Sequence, residues 1–489
     1  EERVNQDKGL KGKECSPVLC LLSRYDGLIG HMASLKGGLM EEMINAFRSR
    51  KVDYLNELKT LVRIPSISFP GFAAQEVARS AQAVSEVLTQ YGFDDVEILT
   101  IPDAHPYVYG EIMVDPAKPT ILLYAHHDVQ PVGDESKWKT EPFEPTEVGD
   151  RLFGRGSADD KAGIMVHVAA VHTWLKSEKT LPVNLKILVE GEEESGSTHL
   201  GEFVQAYKDK LEADAMVLTD TDNFDTGVPG LVTSLRGVVI MDVKVRTIDH
   251  SVHSGMWGGP VPDAASALCK TLGALLDDKG RIAIPGMYEK VRSFADAKKS
   301  PLPAGAKAFA QQVKLLDGVS LLGDENPYWE NWWQPALMVN ALQASSKKDA
   351  RSVLVDEAWA RVSIRIVPDM CAEEVYDLLE KALCEATPWG AQLECEKVTC
   401  VDPWYTTTEH PAFSAAQTAL QKGYGKDVVM MGCGGTIPFV APLCDVFGDV
   451  PALLMGIEDP YTNAHGENES LCLSDWEKAV VSAIFLYEE

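Results

Sequence analysis

The sequence contains no uninterrupted apolar run of roughly 18 residues or more, so a membrane-spanning helix is not expected. Its ten cysteines are scattered through 489 residues with no Cys-x-x-Cys pair. A disulfide framework is therefore not expected, and a reducing cytoplasmic setting is the natural reading. Basic residues are in deficit: 45 Lys and Arg stand against 73 Asp and Glu, a formal net charge of −28. That balance argues against nucleic acid or an anionic membrane as the main partner. It would not repel a metal cation. Internal repeats and low-complexity segments are absent too. What remains, 45% hydrophobic and 24% charged, is the composition of an ordinary globular chain long enough for two or three domains.

The first 39 residues read differently from the rest. They mix charges with Cys15, Cys20 and the short apolar patch Val18–Leu22, and Gly30-His31-Met32-Ala33-Ser34 looks like a non-native junction. A secretory signal is not expected there, because a basic start, a long apolar core and a small-residue cleavage site are all missing. This tail is set aside from the fold.

From Met40 the texture is regular. Glu41–Val62 places Met43, Ile44, Phe47, Val52, Leu55, Leu58, Leu61 and Val62 at helical spacing, and Arg63-Ile64-Pro65-Ser66 stops it. Gln75–Tyr91 is a second amphipathic helix, ended by Gly92. Short apolar runs then alternate with a helix: Thr120–Ala125, the helix Ala162–Leu175, Asn184–Val189 and Ala215–Thr219. This is the pattern of an α/β domain with a mostly parallel central sheet flanked by helices. After Ser234-Leu235-Arg236-Gly237 the texture changes to strands at Val238–Val245 and Ala358–Val367, with helices at Pro262–Leu276 and Ala372–Ala386. That is an inserted α+β unit. Helix and strand patterns return at Phe413–Gln421, Val428–Met431 and Ala452–Gly456, as if to complete the first domain. The expected boundaries are a tail at 1–39, a catalytic domain formed by 40–233 and 405–489, and an insert at 234–404.

Four acidic or histidine clusters follow a strand or a glycine turn: His126-His127-Asp128, Asp159-Asp160-Lys161, Glu190 with Glu192-Glu193-Glu194, and Asp220. Taken singly, each acid reads as a solvated loop residue or a helix cap. Together they read otherwise, because the carboxyl ends of a parallel sheet form one crevice. One histidine and several carboxylates in one crevice would repel one another without cations, and two divalent metals would resolve that. A carboxylate and imidazole set with no nearby cysteine suits zinc, manganese or cobalt. Alternation along an extended segment puts His126 and Asp128 on one side and His127 on the other, so His127 is a structural or supporting residue.

Three motifs, Tyr124-Ala125-His126-His127-Asp128-Val129-Gln130-Pro131, Gly154-Arg155-Gly156-Ser157-Ala158-Asp159-Asp160-Lys161 and Glu193-Glu194-Ser195-Gly196-Ser197, are specific in combination. Leu235-Arg236-Gly237, His253-Ser254-Gly255, Ser363-Ile364-Arg365 and Ala464-His465 follow them. From about Asp53 onward the chain resembles the dinuclear zinc metallopeptidase family of carnosinases, cytosolic non-specific dipeptidases, aminoacylases and glutamate carboxypeptidases. The dipeptidase and carnosinase branch matches best. The resemblance implies that the insert is a lid and dimerisation domain and that the protein is a homodimer. It implies that His126 and Asp220 hold one metal, that Glu194 and His465 hold the other, and that Asp159 bridges them. The peptide bond after that aspartate is often cis in this family. Asp128 would orient His126, and Glu193 would be the general base toward a metal-bridging water. His253 would reach the partner's site and stabilise the tetrahedral oxyanion. Arg365 would grip the substrate carboxylate, with Gly434, Gly435 and Asn340 as further substrate contacts. Without the resemblance, Arg365 reads equally as an intrasheet ion-pair partner, and His253 as a loop histidine.

Where the family usually has Arg-Glu-Gly-Gly-Ser-Ile-Pro, this chain has Gly432-Cys433-Gly434-Gly435-Thr436-Ile437-Pro438. The glycines survive and both charges before them are gone, which bears on substrate preference. The resulting expectation is metal-dependent hydrolysis of dipeptides or closely related short amides. Two alternatives are an N-acyl-amino-acid amidohydrolase on the same scaffold and a catalytically silent binding homologue.

Overall fold

The computed structural model describes residues 17–292, 302–323, 326–437, 440–448 and 450–489, with side chains from residue 38 onward apart from 441, 444 and 445. Readings that fall on residues 1–16, Cys15 among them, and on Pro438 lie outside the described residues. Among the described residues no helix is long and apolar enough to cross a membrane, and the seven described cysteines are all free.

The central sheet has nine strands. Eight run in the order Asp94–Leu99, Tyr107–Ile112, Asn184–Glu190, Thr120–His126, Ala215–Leu218, Ala452–Met455, Gly230–Leu235 and Trp404–Tyr405. The ninth, Val429–Cys433, pairs with Gly230–Leu235. The four middle strands, from Asn184–Glu190 to Ala452–Met455, are mutually parallel, and antiparallel pairings flank them. Burial explains their composition: all seven residues of Asn184–Glu190 are buried, as a strand covered on both faces requires.

Helices cover both faces. Lys161–Leu175 is buried from Lys161 to Trp174, so its sequence is apolar all round rather than striped. Ala74–Tyr91 shows the opposite texture: Val77, Ala81, Val84, Leu88 and Tyr91 face the core at helical spacing, and Gly92 at φ 97° closes it. The first helix differs from expectation. It begins at Pro17 rather than Glu41 and runs unbroken to Val62. Gly37 and Gly38 fall inside it; each glycine costs a helix only about 1 kcal/mol relative to Ala, and Met40, Met43 and Phe47 just beyond them are anchored in the core.

A second, four-stranded antiparallel sheet runs in the order Ala336–Gln343, Glu357–Ile366, Gly237–Arg246 and Gln392–Val401. It has its own core, in which Val239, Met241, Val243 and Val245 alternate with the less buried Ile240, Asp242 and Lys244. Helices Ala264–Gly273 and Ala372–Ala386 supply the rest of that core. Only Arg236 separates Gly230–Leu235 in the central sheet from Gly237–Arg246 in this one.

Candidate metal centre

Parallel pairing brings like ends together. His126 is in register with Glu190, and Tyr124 with Leu218, so the residues after those strands share one edge of the sheet. Ala452–Met455 lies on the other side of Ala215–Leu218, and Glu458, which follows it, arrives at the same edge.

The imidazoles and carboxylates meet there. His126 Nε2 lies 3.0 Å from Asp159 Oδ1 and 3.7 Å from Asp220 Oδ1. His465 Nε2 lies 3.1 Å from the other oxygen of Asp159 and 3.2 Å from Glu194 Oε2. Asp159 thus sits between two imidazoles, each also shared with one further carboxylate. Donor atoms of His126, Asp159 and Glu194 lie within 4.8 Å of one another, as do those of Asp159, Asp220 and Glu458, and of His126, Asp160 and Asp220. The Asp159–Asp160 peptide bond is cis. His465 reaches the group from a left-handed backbone at φ 61°.

The charge balance fits cations. Burial and the nearby Asp220 carboxylate hold Glu193 well above the usual carboxylate range. Burial and Asp159 push Glu194 up to about 7, and burial and Asp220 push Asp222 up to about 6. Glu458 is raised as well, by burial and by Asp159. Burial opposes ionisation of Asp159, but hydrogen bonds from His126 and His465 outweigh it and hold this carboxyl below its ordinary value. Burial likewise opposes the charged ring of His465, and its two carboxylate partners hold it up at about 11. Imidazole protons here lie between carboxylates, where a divalent ion would neutralise more charge.

Supporting residues fix the arrangement. The Asp128 carboxylate accepts hydrogen bonds from the Glu193 and Glu194 backbone N–H groups and from Ser68 Oγ. His126 Nδ1 lies 3.1 Å from the Asp128 carbonyl oxygen and 3.4 Å from its carboxylate. Asp128 therefore couples the His126 ring to the turn that carries both glutamates. Gln130 donates from its backbone and its side chain to Glu194. The Glu193 carboxylate makes no hydrogen bond among the described residues and points at the cluster that raises it. His127 turns away: its Nε2 lies 3.0 Å from the Pro106 carbonyl, and burial lowers it to about 4.

Sequence reasoning missed the salt bridge beneath the site. Arg155 and Glu469 are fully buried and pair at 2.6 Å. Glu469 also accepts from the backbone N–H groups of Gly156, Ala158 and Asp159, and so holds the turn that carries Asp159. Asp160, Asp222 and Glu458 were not singled out as site residues either, and a signal existed for the last: an acidic residue just beyond the apolar strand Ala452–Met455.

The remaining candidates are not among the donor groups of this cluster. His253 is exposed in the two-residue strand Val252–His253, and its Nδ1 accepts from the Gly255 N–H. Asn340 sits at the register break in the edge strand Ala336–Gln343 and is exposed. Arg365 is half-buried and donates to Thr436 Oγ1 at 2.9 Å; among the described residues no acid pairs with it. Gly434 and Gly435 form the turn after Val429–Cys433, and their carbonyls accept from Arg236 Nε and the Arg236 backbone N–H. A side chain at Gly434 would collide with Asn331 Oδ1, 2.5 Å from where its Cβ would stand.

Residues 122–485 match the model of peptidase family M20/M25/M40. The chain is 33% identical over 412 residues to a cysteinylglycine-S-conjugate dipeptidase of Corynebacterium striatum, covering 83% of this chain and 89% of that one. It is 28% identical to a beta-Ala-His dipeptidase of Rattus norvegicus, covering 89% and 92%. Among solved structures it superimposes on the dipeptidase Dug1p of Saccharomyces cerevisiae with a TM-score of 0.81 at 26% identity, covering 92% of this chain and 98% of that one. This chain belongs to the M20/M25/M40 peptidase family, and it is a hydrolase dependent on divalent metal ions.

Proposed function

We propose that this chain is a dinuclear metal-dependent dipeptidase, acting on dipeptides or closely related short amides. The observation that carries the reading is the convergence of His126, Asp159, Glu194, Asp220 and His465 on one point, beside a Glu193 carboxylate that makes no hydrogen bond among the described residues. His126 and Asp220 would hold one ion, Glu194 and His465 the other, and Asp159 both. Zinc suits this oxygen and nitrogen set best, and manganese or cobalt also fit. When bound, the ions acidify a water nucleophile and polarise the scissile carbonyl.

The remaining steps belong to the chain. Glu193 takes the proton from the attacking water and returns it to the leaving amine. Its raised proton affinity, from burial and the Asp220 carboxylate, suits the second half of that task. Arg365 holds the substrate carboxylate at the glycine turn, where the Gly434 and Gly435 backbone leaves room for substrate. Asn340 contributes a further polar contact from the second sheet.

His253 stabilises the oxyanion. Its exposure, and the lack among the described residues of any hydrogen bond or ion pair from its ring to the acidic crevice of its own chain, favour action across a homodimer formed by residues 234–404. The seven free cysteines favour a cytoplasmic setting.

The test uses two silent variants. Glu193→Ala loses about a thousandfold in turnover and keeps its metals by elemental analysis. His253→Ala is also nearly silent. Equal amounts mixed under confirmed subunit exchange regain about a quarter of wild-type activity, because half the dimers carry one complete site. No regain overturns the trans role of His253. Turnover retained by Glu193→Ala overturns its assignment as the base.

A further inference from the structure

Beside the acidic crevice lies a cluster with the opposite imbalance. Arg236, between the two sheets, and Arg365, on Glu357–Ile366, approach closely enough for the Arg365 charge to lower the proton affinity of Arg236. Thr436 links them: its hydroxyl accepts from Arg365 Nη1 and donates to the Arg236 carbonyl. Arg236 Nε holds the Gly434 carbonyl, and among the described residues its terminal nitrogens have no acceptor and no carboxylate pairs with either guanidinium. The side chain that faces both is Cys433. Burial and the Asp222 carboxylate keep that thiol neutral, with its pKa pushed up to about 12. Asp220 acts on the same thiol, so the turn lies within electrostatic reach of the metal centre. One further polar atom nearby is unmatched: Asn331 Oδ1 is buried without a partner, and it flanks Gly434 together with Arg236 Nη2.

Two cations with only a neutral thiol and a hydroxyl between them form an anion site. The resembled family carries a glutamate where Cys433 stands, and a carboxylate there would neutralise one guanidinium. This chain leaves both for the substrate. We propose that Arg236 and Arg365 form a dicationic subsite that selects dipeptides with a second carboxylate, those ending in Asp or Glu, with Arg236 as the specificity-determining residue. This rests on the dipeptidase reading: Arg365 takes the terminal carboxylate, and Arg236 takes the side-chain one. The terminal amide of a Gln residue has the same shape and no charge, so it isolates the effect.

The test is kcat/KM for Ala-Glu against Ala-Gln with the metal-loaded full chain. The expected ratio is about tenfold in favour of Ala-Glu, the size of one charge-assisted hydrogen bond. It is carried mainly by KM and shrinks with added salt. Cys433→Glu brings the ratio near one. Arg236→Gln does the same, and Arg236→Lys restores part of it. A wild-type ratio of one or less overturns the proposal, as does a ratio that survives Cys433→Glu. If neither peptide is cleaved, the dipeptidase reading fails, and calorimetric titration with glutarate against its monoamide decides the subsite separately. Tighter glutarate supports it, and equal affinities overturn it.

Discussion

The acidic crevice and the basic glycine turn sit side by side and are unbalanced in opposite senses. In the crevice, Asp159, Glu193, Glu194, Asp222 and Glu458 crowd together with too few cations, and several are driven toward their neutral forms. At the turn, Arg236 and Arg365 face each other with no acid between them, and burial and mutual repulsion lower Arg236 to about 10. Other buried charges are paired. Arg155 pairs with Glu469, and Arg151 and Lys478 neutralise Asp459 and Asp475, two acids that form a further group of possible metal donors with Cys472. At these two places a ligand would complete the charge: cations in the crevice and carboxylates at the turn.

The contrast sharpens if balanced pairs behave as structure alone. Arg155→Ala leaves Glu469 buried and unpaired, and the expected loss is about 3–5 kcal/mol. Denaturant melts check this, and metal affinity falls with it because the Asp159 turn loses its anchor. A loss under 1 kcal/mol would break the distinction. Next comes a pair of buried histidines on the helix Lys161–Leu175. Burial lowers His167 and His172 to about 4. Each contributes stability that is complete above the unfolded value near 6.5 and is lost as pH falls toward 4, on the order of 1–3 kcal/mol. His172→Gln should therefore lose less stability than wild type between pH 7 and 4.5. An identical decline in the two proteins would contradict the assignment. The smallest effect is at Arg361, which pairs with Asp242 on the open face of the second sheet. Arg361→Ala should cost no more than about 1 kcal/mol and leave turnover untouched, which would separate this arginine from Arg365, four residues along the same strand.

The two regions were unequally legible before the structure. His126, Glu194 and Asp220 could be read because a parallel sheet turns sequence position into spatial position: each follows a buried strand, and such ends converge. The second sheet was legible through alternation at Gly237–Arg246 and helical spacing at Ala372–Ala386. The pairing of Arg155 with Glu469 spans 314 residues and leaves no periodic trace. The basic pair was hidden for the same reason. Arg236, Arg365 and Cys433 lie on three elements distant in sequence, and only the register of Glu357–Ile366 on Gly237–Arg246, with Val429–Cys433 on Gly230–Leu235, brings them together. The early start of the first helix escaped because residues 1–39 mix charges with a short apolar patch and were set aside from the fold.

The central claim is that the crevice holds two catalytic divalent ions. Metal content per chain, measured on protein purified without chelator and paired with dipeptide hydrolysis before chelation, after it and on add-back, tests that most directly. The account predicts close to two ions, hydrolysis lost on chelation, and recovery with zinc or manganese. A stable protein that takes up no metal on add-back would contradict it.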